Sequence, residues 1–384
     1  MKKCISLILA LVIAFSVAIP VTAKSDEKNY SYVLVHGLGG WGESSDINKL
    51  SPYWGSKTGN LAEYLTAQGY NTVEASVGPF SSTWDRTCEL YAQLTGTTVD
   101  YGEAHSKEHK HDRYGTTYAK AIVDNWNENH PVNLIGHSFG GETVRLLASL
   151  MAYGSSDEIA ATGANTSGLF TGHKADWVHS VVTLCSPHNG STLYYSLNAV
   201  PGLVKSILSF AKLISNVADA TGLNKFYNVE LKQFELLIFA NGTDNAGYEL
   251  SPEGAAELNK QIKTVDSVYY FSYSFSSTHK VGNSFLPNND ILPVLYLPAL
   301  LIGTYNDTRF DRENDGLVNV NSALYPWTEP YKAFDENCIE QGVWNVMPTM
   351  KGHHGTIIGM DGNTEEIHSF YNELFEMLQT ADSR

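Results

Sequence analysis

Val132-Asn133-Leu134-Ile135-Gly136-His137-Ser138-Phe139-Gly140-Gly141 is the stretch whose reading decides the fold. An apolar run leads into Gly-x-Ser-x-Gly. A helical pattern follows from Glu142 to Met151, with Val144, Leu147, Ala148 and Met151 as its apolar positions. A strand, a sharp turn and a helix in that order lift the Ser138 hydroxyl to the top of a sheet, at a helix N-terminus. The turn is so tight that small residues must flank the serine, and Gly136 and Gly140 supply that room. A glycine-rich turn with a bystander serine would need neither the strand before it nor the apolar stripe after it.

Similar apolar runs recur at Tyr32–Val35, Asn71–Ala75, Val178–Leu184 and Ser267–Tyr273, mostly separated by helical or polar stretches. Continuous apolar strands alternating with helices predict an α/β chain with a mostly parallel sheet covered on both faces. There is no internal repeat and no low-complexity tract. Two segments fall outside this pattern. Gly78 to Tyr118 is rich in His, Tyr, Gly and Thr. Ser191 to about Asn228 carries Leu203, Val204, Ile207, Leu208, Ala211, Ile214 and Val217 at helical spacing. That stripe reads either as core or as a lid whose apolar face covers an apolar site when closed and meets lipid when open.

The chain opens with Met1-Lys2-Lys3, runs apolar from about Ile5 to Pro20 and reaches Val21-Thr22-Ala23. A basic start, a short apolar core and a small-residue exit predict a secretory signal peptide over 1–23, cleaved after about Ala23. The expected location is therefore extracellular, with residues 24–384 as the mature domain. The formal charge is -16, and loss of Lys2 and Lys3 makes it more negative by two. So acidic a surface disfavours nucleic acid and anionic membranes but does not oppose a neutral ester. Cys4 leaves with the signal. Cys88, Cys185 and Cys338 remain, an odd number that allows one bridge at most, and free thiols are expected.

A serine hydroxyl is a poor nucleophile until a base takes its proton, and the base needs an acid to orient it. In the strand–elbow–helix arrangement the partners follow in the order Ser, Asp/Glu, His. Downstream stand Glu313-Asn314-Asp315-Gly316, a turn signal that puts Asp315 on a loop, and Gly352-His353-His354-Gly355. Spacing does not choose between His353 and His354, nor exclude Asp290, Asp307 or Asp311 as the acid. His279 and His368 lie in no comparable glycine-bounded turn. An oxyanion site needs one backbone N–H from Phe139 and another from a loop after an early strand. His36-Gly37-Leu38-Gly39-Gly40 follows the strand at Tyr32–Val35, which makes Leu38 the second donor.

The chain resembles the family I.5 bacterial lipases, thermostable Bacillus/Geobacillus-type and staphylococcal-type, of the α/β-hydrolase superfamily. The resemblance runs from Tyr32 to about Phe370. It rests on VHGLGGWG (35–42), VGPFSSTWDRTCELYAQLTGTTVDYGEAH (77–105), GHSFGG (136–141), CSPHNGST (185–192), ENDGLVN (313–319) and HHGTIIGMD (353–361). It implies an α/β-hydrolase fold with a lid near 191–228 and zinc-binding insertions near 78–118 and 240–275. It also implies a triad of Ser138, Asp315 and His354, His353 standing where the family usually has Asp.

The implied zinc is structural and held by Asp85, His105 and His111. The fourth family ligand is an Asp in Tyr-Asp-Leu-Ser, which reads Tyr248-Glu249-Leu250-Ser251 here. Glu249 is then the expected fourth ligand, with Asp244 as the alternative. Some members also bind calcium near the histidine. Of the two carboxylate positions one is Thr356 here, leaving Asp361. The implied activity is that of a secreted serine ester hydrolase, a triacylglycerol lipase. It would act on a neutral ester or lipid, touch the lipid interface transiently through the lid, and need no obligate protein partner. A short-chain esterase or polyester hydrolase would use the same triad. A metallohydrolase built on Asp85, His105 and His111, or a binding protein that has lost its chemistry, are the rival readings.

Overall fold

The computed structural model describes residues 30–196 and 242–383. The expected signal peptide, and the expected lid from residue 197 onward, lie outside the described residues. The centre is a sheet of seven strands: β1 (Ser31–Val35), β2 (Asn71–Ala75), β3 (Val132–His137), β4 (Val178–Leu184), β5 (Tyr269–Tyr273), β6 (Tyr331–Ala333) and β7 (Trp344–Val346). Their order is β6-β7-β5-β4-β3-β1-β2, and every neighbouring pair is parallel. The α/β-hydrolase architecture expected from the sequence is the one found.

Both faces of the sheet are covered, as parallel strands require. Residue alternation along β1 shows how: Tyr32 and Leu34 enter one core cluster, Val33 and Val35 the other. The first cluster takes in helices α1 (Leu61–Ala67) and, at the end of the chain, Thr364–Thr380. In the latter, Ile367, Tyr371, Leu374, Phe375 and Leu378 form the buried stripe, and Phe375 stacks on Tyr32 at 4.1 Å. The second cluster takes in α2 (Thr83–Thr95) and, past the short helix α3 (Glu103–His109), α4 (Gly140–Tyr153). Ser82 caps α2 by accepting from the Asp85 N–H at 3.3 Å, and Gly96 ends it in the left-handed region. No helix among the described residues is long and apolar enough to cross a membrane. Cys88, Cys185 and Cys338 are free thiols.

β3 and α4 meet at the elbow. Ser138 has φ 53°, a left-handed conformation that costs a non-glycine residue energy. A Cβ on Gly136 would run into the Gly140 carbonyl, and one on Gly140 into the Val35 carbonyl. The glycines are therefore fixed by the close approach of strand, turn and helix.

Leu34 is fully buried on β1, between β3 and β2. Leu34→Ala should lower stability by about 2–5 kcal/mol, read as a fall in the urea unfolding midpoint with an unchanged slope.

Candidate functional site

Three loops at the carboxyl ends of the strands converge on Ser138. Its hydroxyl lies 2.8 Å from His354 Nε2, and His354 Nδ1 lies 2.7 Å from Asp315 Oδ2. The other carboxylate oxygen, Asp315 Oδ1, accepts from the Leu317 and Val318 N–H groups at 2.9 and 2.8 Å. That loop is shaped by Gly316, at φ 107°, whose N–H donates to the Asn314 side chain at 2.9 Å. The two loops are also joined through the backbone, His354 N–H donating to the Asp315 carbonyl at 2.9 Å. Asp315 and His354 are both buried. With its Nδ1–H given to the carboxylate, His354 presents Nε2 as an acceptor for the serine proton.

The alternatives left open by spacing are engaged elsewhere. His353 Nε2 pairs with Asp361 Oδ1 at 2.5 Å, and Thr356 donates to Asp361 Oδ2 at 2.6 Å. Asp361 would have to surrender these partners to take a calcium ion. Asp307 pairs with Arg309, Asp311 accepts from the Asn321 N–H, and Asp290 is exposed. His279 sits on an exposed hairpin bonded to Asn288, and His368 stacks on Tyr64.

The loop after β1 lies against the serine, so closely that a Cβ on Gly37 would fall 2.7 Å from Ser138 Cβ. Its Gly39 and Gly40 N–H groups are used, by the carbonyls of Pro79 and Gly37. Among the described residues, the N–H groups of Leu38 and Phe139 donate to no other backbone group. Two unused donors beside a nucleophile are what an oxyanion site requires.

Two residues of this site were not singled out by their roles in the sequence. Gly37 N–H donates to the Tyr53 hydroxyl at 3.0 Å, and that hydroxyl lies 2.7 Å from His137 Nδ1. His137 Nε2 lies 2.8 Å from the His354 carbonyl. A carbonyl only accepts, so His137 carries its proton on Nε2 and Tyr53 donates to Nδ1. Burial, aided by the nearby His354, holds the His137 pKa well below the usual histidine range, which keeps that ring neutral. One chain of buried hydrogen bonds thus runs from the loop after β1 to the backbone of His354. Nothing in the sequence marks Tyr53. His137 is marked only as the variable residue of Gly-x-Ser-x-Gly.

A second constellation lies apart from the serine. Asp85 from α2, His105 from α3, His111 just beyond it and Asp244 each turn a donor atom to a common centre, all within 4.8 Å of one another. His105 Nε2 is 3.4 Å from Asp85 Oδ1 and 3.5 Å from Asp244 Oδ1, and His111 Nε2 is 3.6 Å from Asp244 Oδ2. A tetrahedron with bonds of about 2.0–2.1 Å has edges of about 3.3–3.4 Å, so these spacings suit a four-ligand zinc shell. Asp85 Oδ1, His105 Nε2 and His111 Nε2 are buried without a hydrogen-bond partner. Burial alone would lower the His105 pKa, but the carboxylates of Asp244 and Asp85 outweigh it and hold it up at about 9. The site therefore favours positive charge. Glu158 supports it from behind, accepting from the Ala104 and His105 N–H groups at 3.0 and 2.8 Å.

Glu249, expected as the fourth ligand, is not in this cluster; Asp244 is. The Glu249 carboxylate caps α2 instead, accepting from the Thr83 N–H at 2.6 Å. Burial pushes its pKa up to about 8.

The family described as "Lipase-like, C-terminal domain" matches residues 28–383. The chain belongs to that family. It is 34% identical over 373 residues to the lipase of Staphylococcus hyicus, covering 91% of this chain and 58% of that protein. The crystal structure of Staphylococcus hyicus lipase superposes with TM-score 0.76 at 31% identity, over 94% of this chain and 99% of that one. EstA from Clostridium botulinum superposes with TM-score 0.80 at 34% identity, over 91% and 87%. This lipase-like chain spans little more than half the length of the curated relatives it matches.

Tyr53→Phe should leave the Gly37 N–H and His137 Nδ1 buried without their partner. The expected cost is about 1–3 kcal/mol, measured as a lower unfolding midpoint, with far-UV circular dichroism unchanged.

Proposed function

We propose that this chain is a secreted serine lipase, cleaving neutral carboxylic esters through an acyl-enzyme on Ser138. The observation that carries this reading is the unbroken chain Ser138–His354–Asp315 set beside the unused N–H groups of Leu38 and Phe139. Ser138 attacks the ester carbonyl as His354 Nε2 takes its proton. The oxyanion that forms is held by the two N–H groups. His354 then gives the proton to the leaving alcohol, and water repeats the cycle on the acyl-enzyme. Asp315 orients the ring and stabilises its charged form, and with Oδ1 held by two backbone N–H groups it has one orientation in which to do so. Triacylglycerol is the substrate class favoured by the kinship with the staphylococcal lipases.

Ser138→Ala should reduce hydrolysis of p-nitrophenyl butyrate and palmitate by at least about 10³-fold, with folding unaltered. Residual turnover within about tenfold of wild type would overturn the serine mechanism.

We further propose that Asp85, His105, His111 and Asp244 hold a structural zinc ion. Four protein ligands leave a tetrahedral ion no open position for substrate, which favours a structural role over metallohydrolase chemistry. The ion, when bound, would neutralise two half-buried carboxylates and pin α2 and α3 to the chain around Asp244. Metal analysis should give about one zinc per chain. Asp244→Asn should lose most of it, whereas Glu249→Gln should keep it. The opposite pattern would return Glu249 to the ligand set.

A further inference from the structure

Arg86 is fully buried, next to Asp85 on α2, yet no carboxylate lies within 4.0 Å of its guanidinium among the described residues. A buried cation without an ion pair is costly to keep, so its surroundings call for a reason. Its partners are neutral oxygens and an aromatic face. Nη2 donates to the His36 carbonyl, in the loop that carries Leu38. Nη1 donates to the Gly78 carbonyl at 2.8 Å. Nε donates to Thr143 Oγ1 at 3.0 Å, and Thr143 Oγ1 in turn donates to the Phe139 carbonyl at 3.3 Å. The guanidinium carbon stands 5.2 Å from the centroid of the Phe139 ring.

We propose that Arg86 is the positioning residue of the oxyanion site: one guanidinium fastens the His36–Gly40 loop and Phe139 together, fixing the Leu38 and Phe139 N–H groups as a pair. The two donors come from segments about a hundred residues apart, and their spacing must suit a single oxygen atom. Arg86 touches both segments at once, through three directions of one rigid fork. It also sets a positive charge behind the two donors, in a region where burial weakens screening. A guanidinium stays protonated at neutral pH in proteins, so the charge is fixed. His36, its neighbour, is held near 3 by burial and by the Arg86 charge, so the loop carries no competing cation. Phe139 is fully buried, so its ring supports the elbow and does not contact substrate from the open side.

This inference rests on the serine reading above, and the experiment separates the two. Arg86→Met, Arg86→Lys and Ser138→Ala are compared with wild type in hydrolysis of p-nitrophenyl butyrate. Turnover is expressed per site titrated to completion with a phosphonate. A trifluoromethyl ketone, which forms an anionic adduct on the serine, reports oxyanion affinity. Arg86→Met should lose about 10²-fold in kcat with KM nearly unchanged, and ketone affinity should fall in parallel. Arg86→Lys keeps the charge without the fork and should fall between, about tenfold down.

A kcat per titrated site within about threefold of wild type in folded Arg86→Met overturns the inference, even if its unfolding midpoint drops. Should Arg86→Met not accumulate, Arg86→Lys decides on the same criterion. Hydrolysis surviving in Ser138→Ala overturns the serine reading and this inference with it. Hydrolysis lost there but intact in Arg86→Met overturns the role of Arg86 alone.

Discussion

Everything at the site depends on a serine held in left-handed backbone at the junction of β3 and α4. That conformation is uphill for a residue with a Cβ, and it persists only because its surroundings over-determine it. The sheet supplies the determination. β3 lies between β1 and β4 at the centre of the sheet, and its residues are buried throughout. The Ser138 N–H donates to the Leu184 carbonyl at the end of β4, at 2.8 Å. α4 is packed so closely on β1 that Gly140 has no room for a methyl group. The strain in one residue is thus carried by long-range pairing of three strands, and the hydroxyl has one place to be.

The chemistry around that hydroxyl is arranged by backbone more than by side chains. Asp315 is oriented by two N–H groups, His354 by its N–H to the Asp315 carbonyl and by His137 on its own carbonyl. The bonds from Val318 to Asp315 and from His137 to the His354 carbonyl are buried, where an unmet donor or acceptor costs more than a formed bond gains. The arrangement is consequently all-or-none in character. Shifting the His354 loop would expose partners in the Asp315 loop and break the line through His137 and Tyr53 to Gly37. The Asp315, His354 and His36–Gly40 loops are mechanically one unit, although they come from distant parts of the chain.

How much of this was legible in the sequence follows from what each feature needs. Five of the seven sheet strands announce themselves as apolar runs, because a parallel strand buried on both faces has little place for polar residues. Tyr331-Lys332-Ala333 and Trp344-Asn345-Val346 do not, being three residues long with a polar residue in the middle. Ser138, the Asp315 turn and the His353-His354 pair are legible because glycine punctuates each. Which histidine faces the serine is not legible, since the two differ only in which way a shared loop turns them. The choice between Asp244 and Glu249 fails for a similar reason. Both are carboxylates near a helix start, and only the tertiary placement of α2 shows that one caps its first turn while the other faces the histidines. Tyr53 lies 84 residues from His137, and no local pattern records such a contact.

The placement of Asp85 and Arg86 shows what a single helix contributes. Successive residues on an α-helix point about 100° apart, so neighbours serve different sides. Asp85 turns toward His105, His111 and Asp244, while Arg86 turns inward to His36, Gly78 and Thr143. The first turn of α2 is fixed from both directions, by Ser82 and Glu249 at its cap and by Thr87, whose hydroxyl lies 3.2 Å from the Thr143 carbonyl in α4. A rotation of α2 that spoiled the Asp85 cluster would therefore also swing the Arg86 fork off the loop beside Ser138. The insertion that holds the histidine cluster and the elbow that holds Ser138 share a rigid element, and the order of one bears on the geometry of the other. That coupling needs no contact between cluster and serine, only a helix too tightly packed to move one residue without the next.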